Sequence, residues 1–289
     1  MKKILITGAT GNIGREVIRH LTTLSTDDQL IAGVREVAKA QQIFQTFPKL
    51  NFVRFDLEDP QTYSNALEGI DRLFLLRPPH ISDVEKYFSP LLSTAKALKI
   101  REIVFLSVQG VERSKVIPHH KIEILIKEMG MDYIFIRPSY FMQNLTTTLL
   151  VDIKTRRQII LPAGKAKFNW VDIENIGEVA AMLLLQFTSY KNKAYEVTGY
   201  ENESFYTIER LINEISNHPV KYRSVNPFLF FQIKKKTGMP TGMIMVMTML
   251  HLLPRFQKEP IISHFYEQIT GKSPTTLRDF IQRESAQLT

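Results

Sequence analysis

Short apolar runs recur through the first 140 residues, and each is followed by a stretch with apolar positions at helical spacing. Residues 4–7 (ILIT), 30–34 (LIAGV), 51–55 (NFVRF), 72–76 (RLFLL), 103–107 (IVFLS) and 133–136 (YIFI) predict six strands. Residues 15–24, 37–47, 60–67, 82–98 and 119–129 predict the helices that join them. In the first helix Val17, Ile18, Leu21 and Leu24 share a face, and in the last Ile122, Leu125, Ile126 and Met129 do. Asp59 before Pro60 reads as an N-cap followed by proline at the first helical position, and Gly130 as a helix stop. All strands but the third are continuous apolar runs, the sign of a parallel sheet covered on both faces. The pattern predicts a doubly wound α/β fold.

The first strand runs into Gly8, Gly11 and Gly14, and a helix follows. Strand, glycine-rich turn and helix in that order form a phosphate-binding context. Gly8 permits a tight turn, Gly11 a close backbone approach, and Gly14 close helix–strand packing, while the helix start offers N–H groups to an anion. The loop residues expected at a cofactor are Gly8, Thr10, Gly11, Asn12, Ile13 and Gly14. About 20 residues after such glycines, NAD-specific folds carry an acidic residue for the ribose 2′-hydroxyl. Val34-Arg35 stands there instead, and a guanidinium pairs with a 2′-phosphate that a carboxylate would repel. Arg35 therefore predicts NADP(H) over NAD(H).

Beyond residue 138 the alternation becomes irregular. Residues 164–170 lead to a helix over 173–186 that Asp172 could cap, then come a strand at 195–198 and helices at 206–216 and 277–282. No repeat or low-complexity linker appears. The expected division is a cofactor-binding domain over 1–150, with 168–200 partly returning to it, and a smaller, mostly helical substrate lobe over 151–289. The apolar stretches 228–231 and 239–253, with Met243, Met245, Met247 and Met249, fit a flexible roof over a substrate, a core helix or a dimer contact equally well. Lys234 to Lys236 reads as a solvated turn.

Composition adds exclusions. The 37 Lys and Arg against 29 Asp and Glu give a net charge of +8, which suits anionic ligands; no nucleic-acid reader motif accompanies it, so no nucleic-acid partner is expected. Without cysteine there is no disulfide, thiolate nucleophile or thiolate metal site, and the scattered histidines predict no metal. The apolar run of MKKILIT stops at Gly8, too short for a signal peptide, and residues 243–253 are about half a membrane span. A cytoplasmic protein that enters no membrane is expected.

Several blocks together resemble the NmrA-like branch of the atypical short-chain dehydrogenases: GATGNIG at 8–14, RPP at 77–79, HHKIEILIKEMGMDYIFIRPSYFMQN at 119–144, VDIENIGEVAAMLL at 171–184, AYEVTG at 194–199 and ITGKSPTTLRDFI at 269–281. The resemblance covers nearly the whole chain. It implies a Rossmann-type lobe with a smaller C-terminal lobe, NADPH binding and no metal. It also implies one of two roles: a reductase, such as an NAD(P)H:quinone reductase, or a regulator that senses the dinucleotide without turnover.

The resemblance further implies that Asp56 and Leu57 border the adenine, with a turn or cap role for Asp56 equally open. Leu76, Arg77 and Pro78 would lie along the nicotinamide ribose, and Ser107 near the nicotinamide. Short-chain dehydrogenases pair a tyrosine acid with a lysine four residues on. Four residues before Lys121 stands Ile117, so the tyrosine is missing. Lys121 is left as a ribose ligand by family position, as the one catalytic candidate, or as a solvated helix lysine. Tyr140, Phe141 and Asn144, just after the sixth strand, are the expected substrate lining. Hydride transfer from NADPH to a quinone or similar small electrophile is the favoured expectation. An NADP(H) sensor is the alternative, and a sugar-nucleotide epimerase or dehydratase is weakened by the missing tyrosine.

Overall fold

The computed structural model describes residues 1–24, 27–216 and 218–288. In chain order the strands are β1 (Lys3–Ile6), β2 (Gln29–Val34), β3 (Asn51–Arg54), β4 (Arg72–Leu76), β5 (Glu102–Leu106), β6 (Asp132–Pro138), β7 (Tyr140–Phe141), β8 (Gln158–Leu161), β9 (Lys167–Val171), β10 (Lys193–Val197), β11 (Asn202–Ser204) and β12 (Lys221–Ser224). Two compact units divide the chain.

The first unit comprises Met1–Pro138, Ile173–Val197 and Phe265–Lys272. Its sheet has the order β10-β6-β5-β4-β1-β2-β3, and every neighbouring pair is parallel. The continuous apolar runs are explained by burial of both faces. Leu5, Leu73, Leu75, Ile103 and Phe105 enter one core with Phe88, Leu91, Ile122 and Ile126 from the helices Val84–Ala97 and Pro118–Glu128. The intervening Ile4, Ile6, Phe74 and Val104 are fully buried as well. The helices Asn12–Thr23 and Ile173–Leu185 pack closely because residue 177 is glycine: a Cβ there would lie 2.4 Å from that of Glu16. The chain builds β2 and β3 on one side of β1 and then crosses to β4 on the other. That reversal makes the carboxyl ends of β1 and β4 a topological switch point, where doubly wound sheets bind ligands.

The second unit comprises Ser139–Asp172, Thr198–His264 and Ser273–Thr289. In it β9 pairs antiparallel with β11 and parallel with β7, while β8 and β12 form a separate parallel pair. Trp170, Phe205, Phe230 and Phe280 are fully buried at its centre.

Three expectations need correction. Phe265–Lys272, expected in the C-terminal lobe, belongs to the first unit. Residues 139–150 belong to the second unit, because Met142, Leu145 and Leu149 bury themselves with Ile153, Ile159 and Trp170 once the chain leaves β6. Lys234 to Lys236 is the last turn of the helix Pro227–Lys236 rather than a solvated turn, and Lys234 is buried in an ion pair with Asp152. Among the described residues no helix is long and apolar enough to cross a membrane.

Candidate functional site

The glycine loop closes on itself. Gly8 adopts φ +61°, and a Cβ there would crowd Leu76 Cδ2 at 3.1 Å. Gly11 N–H donates to the Gly8 carbonyl across 3.0 Å, and Gly11 then starts the helix Asn12–Thr23. A Cβ on Gly14 would sit 2.3 Å from the Gly8 oxygen and 2.7 Å from Ala9 Cα, so no side chain fits. Arg15 Nε donates to the Thr10 carbonyl at 2.9 Å and holds the outer limb of the loop. Gly11 brings no capping side chain, and the first helical turn has no acidic residue. The N–H groups of that turn are thus directed at an acceptor from outside, with the helix dipole favouring an anion. Thr10 and Asn12 are exposed beside them, while the Ile13 side chain is buried.

At the end of β2, Arg35 is exposed and makes no hydrogen bond or ion pair with any described residue. After β3, Asp56 accepts the Glu58 N–H on Oδ1 at 3.0 Å, which is a turn role; its Oδ2 makes no bond to a described residue. Leu57 buries its side chain in the core, and its carbonyl accepts the Tyr63 hydroxyl at 2.7 Å. Burial, helped by Asp56 and Asp59, pushes that hydroxyl up to about 12.

The β4 end is tied to β1 by Thr7, whose hydroxyl donates to the Phe74 carbonyl and accepts the Leu76 N–H, both at 3.0 Å. Arg77 folds back on the turn that follows. Its Nη1 donates to the carbonyls of Pro78, Pro79 and Ile81 at 3.0, 3.2 and 2.6 Å, and its Nε donates to His119 Nε2 at 3.3 Å. His119 must therefore be neutral at Nε2, and burial together with the guanidinium lowers its pKa to about 3. Just past β5, Ser107 is 2% exposed and its Oγ finds no hydrogen-bond partner among the described residues. Lys121 lies exposed in the helix Pro118–Glu128, and Ile117 is that helix's N-cap.

The loop from Gly8 to Gly14, Arg35, Asp56, Leu76 to Pro78 and Ser107 thus follow the carboxyl ends of β1 to β5 within the first unit. A dinucleotide fits this edge: the glycine loop leads into a helix start without a capping side chain or an acidic residue, and Ser107 presents a buried hydroxyl without a partner among the described residues. Thr7, Arg15 and His119 escaped the sequence reasoning. Only the polar end of an apolar strand hinted at Thr7, and only the histidine pair that opens the helix before Lys121 hinted at His119.

Tyr140, Phe141 and Asn144 lie in the second unit, on β7 and the 3₁₀ turn Met142–Asn144. The Tyr140 hydroxyl donates to His251 Nε2 at 2.9 Å, because His251 Nδ1–H is spent on the Met247 carbonyl at 2.7 Å. Burial raises the Tyr140 hydroxyl and lowers His251 to about 4, so both stay uncharged. The Tyr140 ring meets Trp170 edge-on at 4.9 Å, and Phe141 and Asn144 are half-buried. Among the described residues no group of three or more His, Cys, Asp or Glu could hold a metal.

Known proteins with this architecture are numerous. The chain is 27% identical to prestalk A differentiation protein A of Dictyostelium discoideum, over 96% of this chain and 90% of that one. It is 26% identical to an NAD(P)H azoreductase of Xenophilus azovorans, over 98% of each. The structure superposes on an NADPH-dependent quinone oxidoreductase of Escherichia coli, complexed with NADPH, with a TM-score of 0.85 at 21% identity over 97% of this chain and 99% of the other. The family model of NmrA-like proteins matches residues 1–280. The chain belongs to the NmrA-like family.

Proposed function

We propose that this chain is an NADPH-dependent reductase that delivers hydride to a quinone or a similar small electrophile. The observation that carries the reading is the set of open donors along one sheet edge: the uncapped helix start after Gly11, the unpaired Arg35 and the unsatisfied Ser107 hydroxyl. NADPH, when bound, supplies the hydride, which is the cofactor's own chemistry. The first-turn N–H groups bind the pyrophosphate, and Arg35 pairs with the 2′-phosphate. Ser107 Oγ hydrogen-bonds the nicotinamide end, and Arg77 positions the turn over Pro78 and Pro79 while holding His119 neutral. The relatives support a reductase: one is named an NAD(P)H azoreductase and another, from E. coli, quinone oxidoreductase 2.

Ile117 favours an acceptor that needs no tyrosine acid, since protons for a reduced quinone can come from solvent. The same absence, with Lys121 exposed and without an ion pair among the described residues, supports a second reading, an NADP(H) sensor without turnover. The deciding experiment titrates NADPH binding and follows NADPH oxidation against a panel of quinones and azo dyes. The reductase reading expects turnover with at least one acceptor class. Tight binding without oxidation across the panel would leave the sensor.

A further inference from the structure

The helix Thr241–Leu252 is apolar all round, yet only one side of it is covered. Ile244, Met247 and His251 face the core of the second unit. Met245, Val246, Met249 and Leu250 point outward, with Val246 67% exposed. Phe256, just beyond the helix, is 79% exposed. A helix that is apolar all round is ordinarily enclosed in a core or by lipid, and contiguous exposed apolar surface marks an interaction site.

The charge around it is mostly positive, with Glu259, paired to Lys167 at 2.9 Å, the first acidic residue beyond it. Residues 215–258 hold seven Lys or Arg and no Asp or Glu, so nearly all of the chain's net charge of +8 lies in this segment. Lys234 is neutralised by the buried Asp152. Lys235 and Lys236 precede the helix and Arg255 and Lys258 follow it, all four exposed. Lys235 Nζ donates to Thr241 Oγ1 at 3.0 Å, which fixes a cation at the helix start. Arg255 lies over the Phe256 ring at 6.0 Å, fixing another past its end. An apolar face with cations at both ends is the makeup of a helix that lies in a bilayer interface, its apolar side among the acyl chains and its cations at the phosphates. A second copy of the chain fits less well, because a two-fold contact on this face would press the cationic rims together.

We propose that the helix Thr241–Leu252, with Phe256 and the flanking Lys235, Lys236, Arg255 and Lys258, docks the protein peripherally on an anionic phospholipid surface. The test is flotation of the full chain with vesicles of phosphatidylcholine alone and of phosphatidylcholine containing about one third phosphatidylglycerol. Binding should be at least about tenfold stronger to the anionic vesicles and should weaken in high salt. The outward-facing pair V246D/M249D, checked for native circular dichroism, should lose at least about tenfold of that binding, and K235Q/K236Q should lose a similar factor. Equal binding to both vesicle types overturns the proposal, as does absence of binding by the unmodified chain. So does full retention of binding in V246D/M249D, which would indicate charge attraction without insertion. A dimer in sedimentation velocity that V246D/M249D dissociates, with no vesicle binding, assigns the face to a second copy and likewise overturns it.

Discussion

Arg77 Nε donates to His119 Nε2 across 3.3 Å, so the imidazole beside the β4 turn can accept that bond only while it is neutral. Burial and the neighbouring guanidinium lower its pKa to about 3. In the unfolded chain it would titrate near 6.5, so between those values the unfolded state binds more protons and stability falls as pH falls. His251, lowered to about 4, acts in the same direction. Each histidine can contribute a slope of up to about 1.4 kcal/mol per pH unit below pH 6.5 and none above it. Urea unfolding at a series of pH values checks this, and NMR titration of His119→Gln against the parent assigns its share.

Arg35→Ala should weaken NADPH binding by about 1.5 to 3 kcal/mol, roughly ten- to hundredfold, and leave NADH binding nearly unchanged. Its exposure and lack of a protein partner mean that stability should not move. Calorimetric titration with both dinucleotides decides it. Equal losses for the two would detach Arg35 from the 2′-phosphate.

Ser107→Ala separates binding from stability. The Oγ is buried without a partner, so removing it should leave the melting temperature unchanged or raise it, by up to about 1 kcal/mol of stability. NADPH affinity should fall by a few-fold to about tenfold if that hydroxyl serves the cofactor. A parallel drop in melting temperature would show that the hydroxyl serves the fold instead.

Gly14→Ala places a methyl 2.3 Å from the Gly8 oxygen, so the helix start and the loop must part. Overpacking of this kind costs about 1 to 3 kcal/mol. Dinucleotide binding should be lost with it, because the N–H groups no longer converge. Gly238→Ala is a suitable control: its Cβ meets nothing within 4 Å, though its φ of +80° costs some stability, and NADPH binding should persist.

Asp152→Asn should be among the most damaging single changes in the second unit. It leaves Lys234, 3% exposed, with no carboxylate, and an uncompensated buried charge costs about 3 to 5 kcal/mol. The double variant Asp152→Leu with Lys234→Met removes both charges and should recover most of the loss. Chemical denaturation of the three proteins gives the comparison.

The elements of the first unit were legible because their signals are local. A strand buried on both faces must be an apolar run, residue 8 with φ +61° hard against Leu76 favours glycine, and Asp59 before Pro60 marks a helix start wherever the chain goes next. The second unit hid its strands because β7, β8, β9, β11 and β12 are short and gain meaning only from partners far along the chain: Lys221 pairs with Gln158 and Asn202 with Asn169. Lys234 escaped for the same reason, since nothing near it in sequence announces Asp152. At the candidate site Gly8, Gly11, Gly14 and Arg35 could be read from spacing. Arg77 was singled out, but not its inward fold onto three carbonyls, which depends on the loop's path.

The first unit is threaded from three stretches, Met1–Pro138, Ile173–Val197 and Phe265–Lys272. As the chain leaves the ribosome, β6 is therefore a bare sheet edge until Lys193–Val197 emerges, and the stretch 265–272 arrives later still. An uncovered strand edge is a template for association with other chains, and closure through such distant segments is slow. A chain stalled or truncated between residues 138 and 193 would thus be the aggregation-prone species. No single cut in the gene yields either unit intact.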